Sequence, residues 1–193
     1  MNTERDETRL SMAEFRCLRD YISEECGIEL PDEKQYLIPV RLSGLLREEG
    51  CRSYMDLLNM ARNDASGTLR DRIIDAISTN ETLWFRDRRI WDVLKDDVLP
   101  GFLLKLQDGS LRRINVWSAG CSTGQEPYSF AMIVDGLLGP HGLSVRDCFY
   151  ILGTDISETA LSVARQGRYN RISMSRGMIG EYRERYFVRT GNV

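Results

Sequence analysis

Apolar residues recur at helical spacing from Ser11 to about Ser78, and Gly27 lies where the first helix would end. The first segment places four apolar side chains on one face: Met12, Phe15, Leu18 and Ile22. The same spacing predicts three further helices, over 32–50, 53–64 and 68–78, with Pro39 as a kink or restart in the first of them. Four short amphipathic helices predict a small all-helical bundle.

A longer amphipathic helix is predicted from about Arg88 to Leu99, just before Pro100. The period then changes, because RRINVWSAG and DCFYILGTD are typical of short buried strands. A helix with Pro127 at its first position is predicted between the strands. Another helix follows the second strand, with Ser157 as its N-cap and Gly167 just after its end.

The order strand, glycine turn, helix, strand, helix predicts a right-handed crossover and a parallel sheet. The fold class is therefore α/β with an all-α N-terminal domain. Only two convincing strands are present, whereas a doubly wound sheet normally has roughly five or more. We therefore expect a Rossmann-like domain that is truncated at its C-terminal side.

Composition narrows the class of protein. The chain has 193 residues, of which 42% are hydrophobic, and a net charge of -3. This charge gives no overall electrostatic case for nucleic acid, and no apolar run is long enough for a membrane span. The N-terminus MNTERDETRL is charged where a signal peptide would be apolar, so we expect a cytoplasmic protein without direct membrane insertion.

Cysteine and histidine counts exclude several chemistries. The five cysteines are scattered and never spaced as Cys-x-x-Cys, which indicates reduced thiols rather than a disulfide frame or a zinc site. The single histidine, His141, lies in the turn-like GPHGL, so a Ser-His-Asp or Cys-His mechanism is disfavoured. We predict no metal site.

The segment NVWSAGCSTGQEPYS places Gly120 and Gly124 between a strand and a helix. Glycine lets the backbone turn sharply there and lets a ligand approach it. The spacing does not match the dinucleotide fingerprint G-x-G-x-x-G, and no Gly-Lys-Ser/Thr follows. A phosphate-binding loop is therefore disfavoured.

Two carboxylates accompany this loop. Asp155 closes the second strand, where an acidic side chain can accept both hydroxyl protons of a ribose. Glu126, at the helix start, either compensates the helix dipole or makes a second polar contact to a ligand. A nucleoside without pyrophosphate favours an S-adenosylmethionine-dependent methyltransferase, while a nicotinamide enzyme and an unliganded structural domain remain open.

The stretch STNETLWFRDRR combines polar residues, an aromatic pair and a cluster of charge. Ser78 and Glu81 have capping-box spacing, and Asp87 could cap a helix that begins at Arg88. Capping does not explain Trp84 and Phe85, because two bulky aromatic residues would then lie where the chain turns through solvent.

Three sequence blocks follow the small helical domain in a fixed order. They are TNETLWFR, then VWSAGCSTGQEPYS, and then ILGTDIS with AL, AR, G and Y after it. In this combination the chain resembles the chemotaxis receptor methyltransferases of the CheR family over nearly its whole length. The resemblance implies three regions: a receptor-docking domain over 1–78, a cofactor-contacting segment over 79–89, and the N-terminal part of the methyltransferase domain over 90–193.

The resemblance also implies a set of site residues. The cofactor-binding residues would be Asn80, Thr82, Arg86, Ala119, Gly120, Glu126 and Asp155. Arg86 is in addition the candidate catalytic residue, paired with the carboxylate of the cofactor or of the substrate. Trp84 and Phe85 would wall the site.

The implied activity is transfer of a methyl group from S-adenosylmethionine to glutamate side chains of bacterial chemoreceptors, which leaves S-adenosylhomocysteine. A basic face on the helical domain would dock the receptor through Lys34, Arg41, Arg47 and Arg52. Two alternatives stay open: a non-catalytic receptor-binding or cofactor-sensing module, and a nicotinamide oxidoreductase.

Overall fold

A computed structural model describes residues 9–191. The chain divides into two compact units, the first ending at Thr79 and the second beginning at Asn80. The charged N-terminal stretch MNTERDETRL lies largely outside the described residues. The three regions inferred from the sequence, 1–78, 79–89 and 90–193, stay a prediction.

The first unit is the predicted bundle of four helices. They are α1 (Met12–Cys26), α2 (Leu37–Glu48), α3 (Tyr54–Asn63) and α4 (Thr68–Ile77), with a 3₁₀ turn at Asp32–Lys34. Ser11 and Ser53 each cap the helix that follows them in a reciprocal capping box. Gly27 ends α1 in the left-handed conformation that glycine adopts most easily, with φ of 72°.

The apolar faces of these helices meet in one core. Several side chains are fully buried: Phe15, Leu18, Ile22, Ile38, Leu42, Leu57, Leu58 and Ile73. The restart predicted at Pro39 is confirmed, because the 3₁₀ turn ends at Lys34 and α2 begins at Leu37, with Pro39 as its third residue. Proline is tolerated in a first turn, since its missing N–H would have no partner within the helix there.

Arg41 on α2 caps the end of α4. Its Nη1 donates to the carbonyl oxygens of Ile77 and Ser78, each at 2.5 Å, and its Nη2 donates to Thr79 Oγ1 at 3.2 Å. These carbonyls have no partner within α4, and a cation there also complements the helix dipole. We therefore remove Arg41 from the predicted docking face, because its guanidinium is held by the backbone of its own unit.

Arg41→Ala should lower the free energy of unfolding of the helical unit by about 1 to 3 kcal/mol, the range for losing hydrogen bonds from a charged donor. Urea unfolding followed by far-UV circular dichroism measures this change. Arg47→Ala is the matched control, since Arg47 is exposed on the same helix, and it should cost about 0.5 kcal/mol or less. Equal effects of the two substitutions would contradict the capping role.

The first helical stretch of the second unit is longer than predicted. α5 (Arg88–Val93) runs through a π turn (Leu94–Val98) into α6 (Leu99–Gln107). The predicted end before Pro100 was wrong, because the π turn widens the backbone where the proline ring would otherwise meet the carbonyl of Asp96. Asp87 precedes α5 but makes no side-chain capping bond, so that prediction was also wrong.

The sheet is a parallel pair, as predicted. β1 (Ile114–Ala119) pairs with β2 (Phe149–Thr154) in a register that joins Ile114 to Phe149 and Ala119 to Thr154. Between the strands the chain forms α7 (Gln125–Leu138), a 3₁₀ turn (Gly139–His141) and the short α8 (Val145–Cys148). After β2 come α9 (Glu158–Gln166), α10 (Arg171–Ser175) and α11 (Gly180–Tyr186).

The start of α7 differs from the prediction by one half-turn. The helix begins at Gln125, so Pro127 is its third residue rather than its first. One face of the sheet is covered by the core of this unit, and the other leaves Trp117 70% exposed. Within residues 9–191, no helix is long and apolar enough to cross a membrane.

Candidate functional site

The glycine loop, defined here as residues 120–124, and Asp155 lie at the same edge of the sheet. The loop follows β1, and Asp155 follows β2 directly. Carboxyl ends of adjacent parallel strands share one edge, which is where open α/β sheets bind their ligands. The Ser122 N–H donates to Asp155 Oδ2 at 2.7 Å, so the structure brings the loop and the carboxylate into contact.

Asp155 is held in place by two backbone groups. Its Oδ2 accepts from Ser122 N, and its Oδ1 accepts from Ser157 N at 2.9 Å. A carboxylate has about four acceptor positions, so about two remain after these bonds. The half-buried side chain can therefore still accept two hydroxyl protons, which is what a ribose offers. The fixed carboxylate fits the nucleoside of S-adenosylmethionine.

Gly120 leaves space beside Asp155. Its φ is 72°, and a Cβ placed on it would meet no atom within 4 Å. The N–H groups of Gly120 and Cys121 both donate to Thr154 O, at 2.8 and 2.9 Å, which ties the loop to β2. Ala119 and Gly120 are both exposed, so a ligand can approach this part of the backbone.

Gly124 serves packing instead. Its φ is 93°, and a Cβ there would come within 3.0 Å of Ala164 Cβ and of Tyr169 Oη. A side chain larger than hydrogen is excluded, because the loop closes against α9 and Tyr169 at this point. The two glycines of the sequence motif therefore have different roles.

Glu126 is exposed in the first turn of α7. Its Oε1 accepts from Ser118 Oγ at 2.7 Å, and Ser118 is the penultimate residue of β1. The carboxylate is therefore fixed at the same edge as Asp155, where the helix dipole favours its negative charge.

Asn80 also lies at this edge. Its Nδ2 donates to Ser157 Oγ at 3.1 Å, and its carbonyl accepts from Ser122 Oγ at 2.9 Å. Thr82, two residues further, is half-buried. Ser78 ends α4 rather than starting a helix, and its Oγ donates to Ile74 O at 2.7 Å, so the predicted capping box with Glu81 is wrong.

The Arg86 side chain makes no hydrogen bond or ion pair among residues 9–191. It is exposed, and no carboxylate within residues 9–191 lies in ion-pair distance of it. An ion pair with the neighbouring Asp87 is likewise absent among these residues. The Arg86 backbone carbonyl accepts a hydrogen bond from Trp91 Nε1 at 2.7 Å. The catalytic role of Arg86 stays a prediction.

Trp84 and Phe85 do not wall the site, contrary to the prediction. Trp84 is 0% exposed, with its ring edge-on to Tyr169 and Phe187 at 4.9 and 5.3 Å between centroids. Phe85 is 4% exposed and stacks on Tyr182 at 4.9 Å. The aromatic pair anchors its polar segment in the core of the second unit, which explains why it interrupts a run of polar residues.

Tyr169 links that core to the glycine loop. Its ring packs on Trp84, and its Oη donates to Thr123 O at 2.7 Å. Burial raises the pKa of Tyr169 well above its ordinary value, so the phenol stays protonated as a hydrogen-bond donor even in alkaline solution. Sequence reasoning included this residue in a motif but gave it no role.

A separate cleft of about 1160 Å³ lies beside α7, with Tyr128, Met132 and Tyr186 among its lining residues. None of the residues predicted to bind the cofactor lines it. Its volume alone therefore does not identify the cofactor site, since the polar groups that suit a nucleoside converge at the sheet edge.

Chemotaxis protein methyltransferases of several bacteria are similar to this chain. A chemotaxis protein methyltransferase 1 of Pseudomonas aeruginosa is 39% identical over 179 residues, covering 93% of this chain and 64% of the relative. A chemotaxis protein methyltransferase 1 of Vibrio cholerae is 38% identical over 190 residues, with coverages of 95% and 64%. The chain thus spans a little under two thirds of the length of these relatives.

Family models cover both units. Residues 13–78 match the CheR methyltransferase all-alpha domain, and residues 80–192 match the CheR methyltransferase SAM binding domain. The matches confirm the fold class and the predicted cofactor, S-adenosylmethionine. They also confirm the resemblance found in the three sequence blocks: this chain belongs to the CheR methyltransferase family.

Proposed function

We propose that this chain binds S-adenosylmethionine at the carboxyl edge of β1 and β2 and transfers its methyl group to glutamate side chains of bacterial chemoreceptors. The observation that carries the proposal is the convergence of Asp155, the glycine loop and Asn80 at one edge of the sheet. The family supports the class of reaction, and the similar proteins are named chemotaxis protein methyltransferases.

The predicted site residues would share four tasks in binding. Asp155 would accept the ribose hydroxyls, and Ala119 with Gly120 would leave room for the nucleoside. Glu126, Asn80 and Thr82 would supply further polar contacts along the same edge. Arg86, which is exposed and unpaired among residues 9–191, would bind the carboxylate of the cofactor's methionine portion.

The proposed reaction needs no general acid or base. When bound, the cofactor supplies an electrophilic methyl group on a sulfonium. A glutamate side chain has a reference pKa of about 4.3, so it is ionised at neutral pH and attacks without a general base. Its oxygen would form the bond to the methyl carbon, and the electron pair of the carbon–sulfur bond would pass to sulfur. The protein's part is alignment and exclusion of water, which suits a chain with a single histidine.

The helical unit offers a surface for the receptor. Lys34, Arg47 and Arg52 are exposed there, and their charge suits the acidic helices that carry methylated glutamates. Glu33 and Glu48 are interleaved with them in the sequence, so the attraction depends on the arrangement of cations rather than on net charge. The partner surface would be the cytoplasmic region of the receptor, so the proposal includes a cytoplasmic location for the protein.

S-adenosylhomocysteine should raise the melting temperature of this chain, and NAD should not. At about 100 times its dissociation constant, a ligand that binds only the folded state adds about 2.7 kcal/mol of stability. Thermal unfolding with each ligand at equal concentration tests the proposal. Stabilisation by NAD alone would support the oxidoreductase alternative. S-adenosylhomocysteine binding without transfer of labelled methyl to receptor-containing membranes would indicate the non-catalytic module.

A further inference from the structure

We propose that Ser122 and Ser157 are positioning residues that hold the Asn80 segment at the sheet edge and thereby set the affinity for the cofactor. Neither hydroxyl needs to contact the cofactor for this role. The inference rests on the proposed function and extends it to two residues that the sequence did not assign to the site.

Four hydrogen bonds form a closed ring. Ser122 donates twice, from Oγ to Asn80 O at 2.9 Å and from N to Asp155 Oδ2 at 2.7 Å. Ser157 N donates to Asp155 Oδ1 at 2.9 Å, and Ser157 Oγ accepts from Asn80 Nδ2 at 3.1 Å. The ring joins the glycine loop, the end of β2 and the segment before Trp84, which are distant in sequence.

Burial separates the two serines from the exposed part of the edge. Ser157 is 0% and Ser122 is 6% exposed, whereas Asn80 and Gly120 are exposed. Hydrogen bonds in a low-dielectric interior are strong, and an unpaired buried partner is costly. The ring therefore lies below the surface that a cofactor would contact, and it acts by holding the Asn80 segment in place.

The backbone of Ser122 gives an independent indication. Its φ is 49°, in the left-handed region that glycine occupies without strain and other residues rarely adopt. A serine at such a position costs conformational energy that a glycine would avoid. The serine side chain has a role at this position, because its hydroxyl donates a hydrogen bond to the Asn80 carbonyl.

The expected consequence concerns binding more than folding. Without the Ser122 hydroxyl, the Asn80 segment loses one of its two bonds to the edge and must be ordered when the cofactor binds. Ordering on binding reduces affinity. We expect Ser122→Ala to weaken S-adenosylhomocysteine binding about 10-fold, the effect of one typical buried hydrogen bond.

Calorimetric titration with S-adenosylhomocysteine tests this, with melting temperatures measured on the same samples. Ser122→Ala and Ser122→Gly should both bind about 10-fold more weakly. Ser122→Gly should melt higher than Ser122→Ala, because both variants lose the hydroxyl but only glycine accepts the positive φ without strain. Affinity and stability would then change independently, which a purely structural role does not predict.

Ser157 requires a matched control, because its Oγ also accepts from Ala160 N at 3.0 Å and caps α9. Ser144 caps α8 in the same manner, through Asp147 N at 3.2 Å, and does not belong to the ring. Both Ser157→Ala and Ser144→Ala lose a helix cap. Only Ser157→Ala should weaken binding.

Three outcomes would overturn the inference: unchanged affinity in both Ser122 variants, weaker binding in Ser122→Gly alone, or affinity losses that follow melting temperature across all four variants. In each of these cases the parent chain still binds, so the proposed function stands. Absence of binding by the parent chain itself would overturn the proposed function together with the inference.

Discussion

Asp155→Ala should weaken S-adenosylhomocysteine binding by at least about 100-fold, because two hydrogen bonds to a charged acceptor contribute about 1.5 to 3 kcal/mol each. Among residues 9–191, the substitution removes the only carboxylate that accepts a hydrogen bond from the glycine loop. It also frees the N–H groups of Ser122 and Ser157, which loosens the edge that holds Asn80. Calorimetric titration measures the loss.

Asp147→Ala is the control for this prediction. Asp147 lies just before β2, at the opposite end of the strand from Asp155, and its exposed carboxylate accepts from Ser144 Oγ at 2.6 Å. Its removal changes net charge equally and should leave affinity unchanged. Undisturbed binding in Asp155→Ala would remove the basis for placing a ribose at this edge.

Trp84→Ala should lower the free energy of unfolding of the second unit by about 3 to 5 kcal/mol, the usual cost of truncating a fully buried large aromatic residue. The side chain is 0% exposed and packs on Tyr169 and Phe187. Trp84→Phe should lower the free energy of unfolding much less. Its ring keeps most of the apolar contact, and the Trp84 Nε1 that it removes has no hydrogen-bond partner within the described chain.

Trp117→Ala provides the comparison, because Trp117 lies on β1 in the same unit but is 70% exposed. Its Nε1 donates to Thr154 Oγ1 at 2.9 Å, so the expected cost is about 1 kcal/mol, that of one exposed hydrogen bond. Urea unfolding monitored by circular dichroism ranks the variants. If Trp84→Ala abolished cofactor binding without loss of stability, the aromatic pair would be part of the site wall after all.

Local chemistry explains which parts of the fold the sequence could predict. The helices of the first unit follow from apolar spacing together with stop and start residues such as Ser11 and Gly27, whose effects extend over one turn. The parallel pair follows from the order of elements, since a crossover through a helix leaves few alternatives. Asp155 and the glycine loop follow from the same topology.

Interactions between distant residues explain the failures. The burial of Trp84 depends on Tyr169 and Phe187, which are far along the chain. Arg41 appeared to belong to a basic face, because nothing in its own segment shows that the end of α4 lies beside it. Pro100 suggested a stop, because a π turn leaves no simple periodic signal.

The hydrogen-bond ring belongs to the same class of features. Ser157 was predicted as the cap of α9, which the structure confirms, but its second bond to Asn80 spans 77 residues of sequence. Ser122 carried one weak signal, a hydroxyl side chain inside a glycine-rich turn. Its partners are identifiable only in the folded structure, where the sheet edge brings these distant residues together.

A crystal structure of this chain with S-adenosylhomocysteine tests the central claim most directly. We predict that both ribose hydroxyls lie at hydrogen-bond distance, about 2.5 to 3.0 Å, from the Asp155 carboxylate. We also predict that the nucleoside lies over Gly120 and beside Asn80. Binding in the cleft next to Tyr128 and Met132, or a ribose without contact to Asp155, would contradict the account.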